Sequence, residues 1–491
     1  MRLRSVPVPD TRRAGGILAV ALAATTVLTL TGHAAPARAD AATGPPRVDG
    51  VWRTDGYGTA VVIDGRRLRT YDTTAVSCLP GELGGPRSGG GPGGARTYRG
   101  PEGIALSVRP QGRDRARLAI ASSVGARTLH RVGALPKRCG KKPSDDPRAV
   151  FDTFWQTYAE NYPFFTAKGI DWRAVRDHFR PKVTRHTTDD QLFRILRRMI
   201  EPLHDAHTAL DGGEGRQFEG IREDTEPPTR ETLERIDKAT AEAVGVPQRH
   251  WGQGAISFAE LPGGTGYLRL TRFIGYAKGD YPAHVAELDR ALDAVFTRDR
   301  VRTLRGLIVD VRFNGGGSDE LAQRVQARLT DRPYLAYRKH ARNDPRDPRA
   351  FTRAESVTVR PHRGPVFTGP VAVLTGRLTV SAGETFTQGL MGRSPAAVRV
   401  GENTQGVFSD TMGRALPNGW TATLPNEEYL TRDGRTFDGA GIPPDHRTPV
   451  FTEEEFREHR DSALTRARAL LSAERPASPT PGARTSPPAG R

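Results

Sequence analysis

Between residues 266 and 391 the chain alternates short apolar runs (266–273, 304–313, 370–375) with amphipathic stretches (280–297, 318–329, 381–391). Successive strands separated by helix-length connections predict a largely parallel sheet with helices packed on it, because parallel strands need long crossovers. The runs LIVDVRF and VAVLT are apolar almost throughout, as strands covered on both faces require. Further strand-like pieces (AAVRVGE, ATLPNEEYL) and a helix over 453–473 complete an α/β core spanning 251–473.

The chain ahead of this core has a different period. Residues 50–76 alternate apolar and polar positions around Asp55-Gly56 and Asp64-Gly65, the pattern of antiparallel strands joined by tight turns. With ALSVRP, ARLAIASS and ARTLHRVG they predict a small antiparallel β domain over 40–140. Within it, 80–96 is so rich in Gly and Pro that it reads as a flexible insertion. The two cysteines, Cys78 and Cys139, allow one disulfide, expected to form, and exclude a Cys-rich zinc framework.

From Val150 the period becomes helical, with Val150, Phe151, Phe154, Trp155 and Tyr158 on one face. A second helix is predicted from Thr188 to Leu203, where Thr188 and Gln191 have capping-box spacing. This helical segment, 145–212, delivers His204-Asp205-Ala206-His207-Thr208 at its end. Residues 213–250 are polar, contain Pro227-Pro228, and read as a linker with one amphipathic helix near 230–244.

The chain's beginning addresses location. Arg2, Arg4, Arg12 and Arg13 precede an apolar run over 17–30, followed by Ala37-Arg38-Ala39, which predicts a signal peptide over 1–39 and a secreted, extracellular protein. The run has 14 residues, short of the ~20 that span a bilayer, so no stable membrane span is expected after cleavage. Arg12-Arg13 leaves twin-arginine and general export both open. The tail 474–491 reads as disordered. The formal charge of +17 comes from Lys and Arg interspersed with acids, so it reads as solvated surface, with no nucleic-acid partner expected.

Three segments can carry chemistry. Asn314-Gly315-Gly316-Gly317 lies between a buried strand and a helix, where backbone N–H groups can meet a phosphate or an oxyanion; no Gly-Lys-Ser/Thr or G-x-G-x-x-G supports a nucleotide, and a tight turn is the simpler alternative. Ser381 follows the run VAVLTGRLTV and opens a helix, so its alkoxide would gain from the helix dipole and the Ala382 N–H would face an oxyanion. Ser381 with Glu384 is equally a capping box. No lysine follows Ser381, which excludes a serine–lysine dyad with a downstream lysine and narrows the choice of base. His207 stands out because a long amphipathic helix fixes it; His204 and His207 lack a third ligand, and no metal or other cofactor is expected. In the turn-rich FDGAGIPPD, Asp438 or Asp445 can orient an imidazole, or satisfy turn amides.

Taken together, FWQTYAENYPFFTAKGIDW, LHDAHT, GYLRLTRF, LIVDVRFNGGG, VLTGRLTVSAGE, VGENTQG and FDGAGIPPD resemble, in order and spacing, the carboxyl-terminal processing (tail-specific) serine peptidases, and more closely their tricorn-like branch. The resemblance implies a crotonase/ClpP-like α/β core, Ser381 as nucleophile, and oxyanion donors from Ala382 and Gly316. The lysine that the processing branch carries beyond G-E-x-T-x-G is missing, since Val407 follows Gly406. The tricorn-like branch takes a histidine from D-S-H-T instead, which points to His207. Ala206 stands where that branch often has serine, and Asp438 where it usually has glutamate. Residues 209–262 are too few and too polar for the PDZ domain the family commonly inserts. The implied function is a secreted serine endopeptidase acting on peptides or unfolded proteins, with Asp438 as the third site residue and the oligomeric state left open. The alternative is a non-catalytic binding module carrying a hydrophobic ligand or peptide.

Overall fold

The computed structural model describes residues 47–473; the expected signal peptide (1–39) and tail (474–491) lie outside them. The first unit is a closed barrel of eight antiparallel strands, β1 (Gly50–Thr54) to β8 (Arg127–Val132), in which β1 pairs with both β2 (Thr59–Ile63) and β8. Its interior holds Trp52, Val61, Leu68, Tyr98, Leu106 and Leu118, as the period-2 pattern requires. The Gly-rich stretch is not a flexible insertion. Most of it is β4 (Cys78–Gly90), paired with β3 (Arg67–Thr73) and β5 (Arg96–Arg99). Glycine is needed there by close approach rather than by looseness: a Cβ on Gly85 would lie 1.8 Å from the Arg99 carbonyl oxygen. Cys78 and Cys139 are bridged.

Three helices follow: α1 (Pro147–Asn161), α2 (Trp172–Phe179) and α3 (Asp189–Ile200). Thr188 and Gln191 close the expected capping box on α3, and Phe151, Phe154, Tyr158, Leu192 and Leu196 form a shared core. A short 3₁₀ turn carries α3 to His204, which is exposed and left-handed (φ 45°). The expected linker is more ordered than its composition implied: β9 (Ala209–Asp211) pairs with β10 (Gln217–Glu219), and α4 (Arg230–Val244) falls where a helix was expected.

The core is a seven-stranded sheet in the order β11 (Arg249–Trp251), β12 (Ile256–Leu261), β13 (Thr265–Leu270), β14 (Gly306–Asp310), β18 (Val371–Thr375), β20 (Val398–Gly401), β24 (His446–Arg447), parallel from β13 onward. Alternate residues of its central strands face opposite layers. Leu307, Val309, Val371 and Val373 pack with α5 (Tyr281–Val295), α7 (Asp319–Ala327) and α8 (Ala382–Met391), whereas Ile308, Ala372 and Leu374 pack with α4 and the helix Ser462–Ala473. α6 (Arg298–Thr303) leads into β14. The expected α/β layering is therefore present.

Smaller pairings bring the functional segments together. β15 (Phe313–Asn314) and β19 (Leu378–Thr379), continuing from β14 and β18, pair in parallel. β16 (Tyr334–Ala341) pairs with β17 (Glu355–Val359) and β23 (Glu427–Leu430). β21 (Thr411–Ala415) and β22 (Thr421–Pro425) extend β9 and β10 into a four-stranded sheet, which straps the histidine segment onto the core.

Candidate active site

The carboxyl ends of adjacent parallel strands are where an open α/β sheet presents its loops to a ligand. Here the β15–β19 pair joins two such loops, and the Val380 N–H donates to the Asn314 carbonyl at 2.9 Å. The result sets Ser381 beside the glycine loop: a Cβ on Gly316 would lie 2.6 Å from the Ser381 Cβ.

Ser381 adopts φ 55°, ψ −119°, a backbone conformation that side chains other than hydrogen resist. The surroundings over-determine it. Its N–H donates to the Val407 carbonyl (3.1 Å) and to Glu384 Oε2 (3.2 Å), while its carbonyl accepts from the Glu384 and Thr385 amides. The same Glu384 carboxylate accepts from the N–H groups of Gly406 (2.6 Å) and Val407 (2.8 Å). Burial pushes Glu384 up to about 7 against the Thr404 hydroxyl and these amides. The capping box expected at Ser381 therefore forms, and it also clamps the 406–407 loop to the serine turn.

Two amides at this turn are available to an anion. The Ala382 N–H belongs to the unpaired first turn of α8. In the glycine loop, the Gly316 N–H donates to Asn314 Oδ1 at 2.9 Å, so the donor expected there is engaged. The neighbouring Gly317 N–H has no hydrogen-bond partner among the described residues, and Gly317 lines the cleft.

His207 reaches this place by a fixed turn. Asp205 Oδ1 accepts from the His207 N–H (2.8 Å), Asp205 Oδ2 accepts from the Tyr162 hydroxyl (2.8 Å), and Thr208 Oγ1 donates to the Asp205 carbonyl (2.7 Å). The imidazole is 9% exposed, and its Nδ1 is buried without a hydrogen-bond partner. Burial lowers its pKa, opposed by the charges of Asp205 and Asp410. His207 and Ser381 line one cleft of about 570 Å³ together with Gly315, Gly317 and Asp410. No direct hydrogen bond joins them, a looseness common in sites without substrate.

Asp438 is the expected residue that the structure leaves apart. It is absent from the cleft lining, and its carboxylate accepts from the Phe408 N–H (3.3 Å) and the Thr436 hydroxyl (2.5 Å) rather than from His207. Burial raises its pKa, opposed by the Thr436 hydroxyl and Phe408 amide and reinforced by the Asp205 and Glu384 carboxylates. Asp445, the other candidate, pairs with Arg399 at 2.6 Å.

Sequence reasoning missed Asp410 and Lys339. Asp410 lines the cleft, hydrogen-bonds Ser123 of the barrel, and lies 3.4 Å from the buried Lys339 ammonium. Burial opposes that charge, yet Asp410 and Glu427 hold the ammonium above its usual range. Neither residue carries a local pattern that singles it out.

The profile of peptidase family S41 matches residues 264–448, and that of the Tricorn protease C1 domain matches residues 143–201. A candidate peptidase from Parabacteroides merdae is 25% identical in solved structure, with a TM-score of 0.55, covering 67% of this chain and 97% of that one. Mature CPAF complexed with lactacystin is 12% identical (TM-score 0.47; 67% and 98% covered), and the tricorn protease is 13% identical (TM-score 0.41; 84% and 46% covered). No curated protein sequence matches. Residues 264–448 thus carry a peptidase family S41 domain, and the chain is a serine-type peptidase, whose substrates are peptides.

Proposed function

We propose that this peptidase is an exported endopeptidase that cleaves peptides or unfolded proteins with Ser381 as nucleophile and His207 as general base. The observation that carries the assignment is the strained Ser381 at the start of α8, opening on the same cleft as a buried His207. In this reading Ser381 Oγ attacks the scissile carbonyl while His207 takes the hydroxyl proton. The Ala382 and Gly317 N–H groups receive the oxyanion; Gly316, its own N–H engaged, leaves room beside Ser381 by lacking a Cβ. The C–N bond breaks as His207 returns the proton to the amine, leaving an ester on Ser381. Water then attacks that ester while His207 takes its proton, and as the acyl C–O bond breaks His207 returns the proton to Ser381 Oγ, releasing a carboxylic acid. Asp205 and Asp410 support the imidazolium through space.

Export is supported by the charged and apolar pattern over 1–39 and by the Cys78–Cys139 bridge, a bond that persists in oxidising compartments. Among the described residues no helix is long and apolar enough to cross a membrane. The binding-module alternative fits less well, because the cleft offers an apolar ligand mostly Asp, Glu, Arg, Ser and Thr side chains. Hydrolysis of a denatured protein substrate by wild type, Ser381→Ala and His207→Ala tests the reading. Both variants should fold and lose turnover, and activity persisting in Ser381→Ala would refute it.

A further inference from the structure

The two amides assigned to the oxyanion belong to different elements, since Gly317 lies just ahead of α7 and Ala382 opens α8. One buried side chain joins those helix starts. Asp319, the first residue of α7, accepts from the Thr385 hydroxyl of α8 at Oδ1 (2.6 Å) and from the Tyr429 hydroxyl of β23 at Oδ2 (3.0 Å). Thr385 Oγ1 also lies 3.2 Å from the Ala382 carbonyl. A hydroxyl has a single proton to donate, so the state of Asp319 decides where it points. Against an ionised Asp319 it turns to the carboxylate; a protonated Asp319 donates to Thr385 Oγ1 and leaves the hydroxyl proton to the Ala382 carbonyl.

The surroundings favour the protonated form. The Lys339 ammonium of β16 pairs with Asp410 (3.4 Å) and with Glu427 of β23 (3.2 Å), and among the described residues Asp319 has no ion pair of its own. The Arg127 guanidinium of the barrel, which acts on Asp410, sits over the Tyr57 ring, whose hydroxyl bonds Glu427. Three carboxyl groups thus share two cations, and full ionisation would leave a negative charge uncompensated beneath the cleft. What else faces Asp319 is neutral: the hydroxyls of Thr385 and Tyr429, and Tyr337 of β16. Glu384, one residue before Thr385, sends its carboxylate to the Gly406 and Val407 amides, and Glu320 pairs with Arg324. Burial pushes the Asp319 carboxyl up to about 7, reinforced by the Asp410 charge and opposed by Thr385, Lys339 and Tyr429.

Resting on the Ser381 and His207 mechanism above, we propose that Asp319 is a positioning residue of the oxyanion hole: its protonated carboxyl fastens the first turn of α7 to that of α8 through Thr385, and its ionisation slows peptide hydrolysis. Ionisation takes the Thr385 hydrogen bond away from the Ala382 carbonyl. It also sets a negative charge two residues from Gly317, against the charge that develops on the substrate oxygen. Asp319 does not line the cleft, so the effect falls on kcat rather than on KM.

The test measures kcat and KM for one peptide substrate from about pH 6.5 to about pH 9 in wild type, Asp319→Asn, Thr385→Val and Thr385→Ser, with fluorophosphonate labelling of Ser381 alongside. Wild-type kcat should fall about fivefold across that range as Asp319 ionises, with KM little changed. Asp319→Asn cannot ionise yet can still donate to Thr385, so its kcat values at the two ends should agree within about twofold. Thr385→Val should lower kcat throughout, and Thr385→Ser, which keeps the hydroxyl, should restore both the rate and the alkaline fall. A wild-type profile without that fall, or the same fall in Asp319→Asn, overturns the proposal while leaving the peptidase reading standing. Should Asp319→Asn not fold, the threonine pair decides: full turnover in Thr385→Val, or a loss that Thr385→Ser does not repair, overturns it equally. No cleavage by wild type, with no labelling of Ser381, overturns both.

Discussion

His207 is buried as a neutral base would be, and its pKa is lowered from 6.5 mainly by that burial. The acid limb of kcat/KM against pH should therefore lie below 6.5, because the free imidazole loses its proton earlier than an exposed one. The sign for stability agrees: below 6.5 the unfolded chain binds more protons than the folded one. This group's contribution thus rises with pH up to about 6.5 and is lost as pH falls through the folded pKa. A pH–rate profile with an acid limb centred above 6.5 would count against His207. The orphaned Nδ1 behind the ring and an Asp438 carboxylate that does not reach it suggest a second variant. Asp438→Glu adds the methylene by which this site falls short of its relatives' pattern, and should raise kcat several-fold, whereas Asp438→Asn should change it little. Steady-state kinetics of the pair decide the point, and a large loss in Asp438→Asn would show that the shorter acid already works.

The turn into α8 works as an element because Glu384 serves three amides at once, those of Ser381, Gly406 and Val407. Glu384→Gln replaces one acceptor oxygen with an NH₂ facing N–H groups, which should cost about 1–3 kcal/mol in urea unfolding and lower kcat together with it. An unchanged unfolding midpoint would show that the clamp is dispensable. Strands and helices of the core were legible because their apolar periods are strong and both faces are covered, so β14, β18, α7 and α8 fall close to their expected places. Ser381 and His207 were legible through local pattern, and both line one cleft. The strand β4 was not legible, because glycine selected for close approach has the same composition as glycine in a flexible loop. Gly317 and Asp410 were hidden for another reason: a free N–H and a cleft-facing carboxylate depend on which neighbours the fold supplies.

At the scale of the whole molecule, the barrel is tied to the catalytic core by polar contacts beside the cleft. Ser318, next to the glycine loop, donates to the Ser122 carbonyl at 2.7 Å; Ser123 bonds Asp410; and Tyr57 bonds Glu427. The Cys78–Cys139 bridge closes a span of 61 residues that contains most of the barrel. Replacing both cysteines by alanine should therefore lower stability by about 2–5 kcal/mol, seen as a lower thermal midpoint. An unchanged midpoint would mean that the barrel closes without it. All of these expectations depend on one chemical claim, that the fold activates Ser381 through His207. The most direct test is a fluorophosphonate reaction followed by peptide mapping. The account predicts one adduct, on Ser381, formed by the native protein, greatly slowed in His207→Ala and absent after denaturation. An adduct on another residue, equal labelling of the denatured chain, or an unlabelled native protein would contradict it.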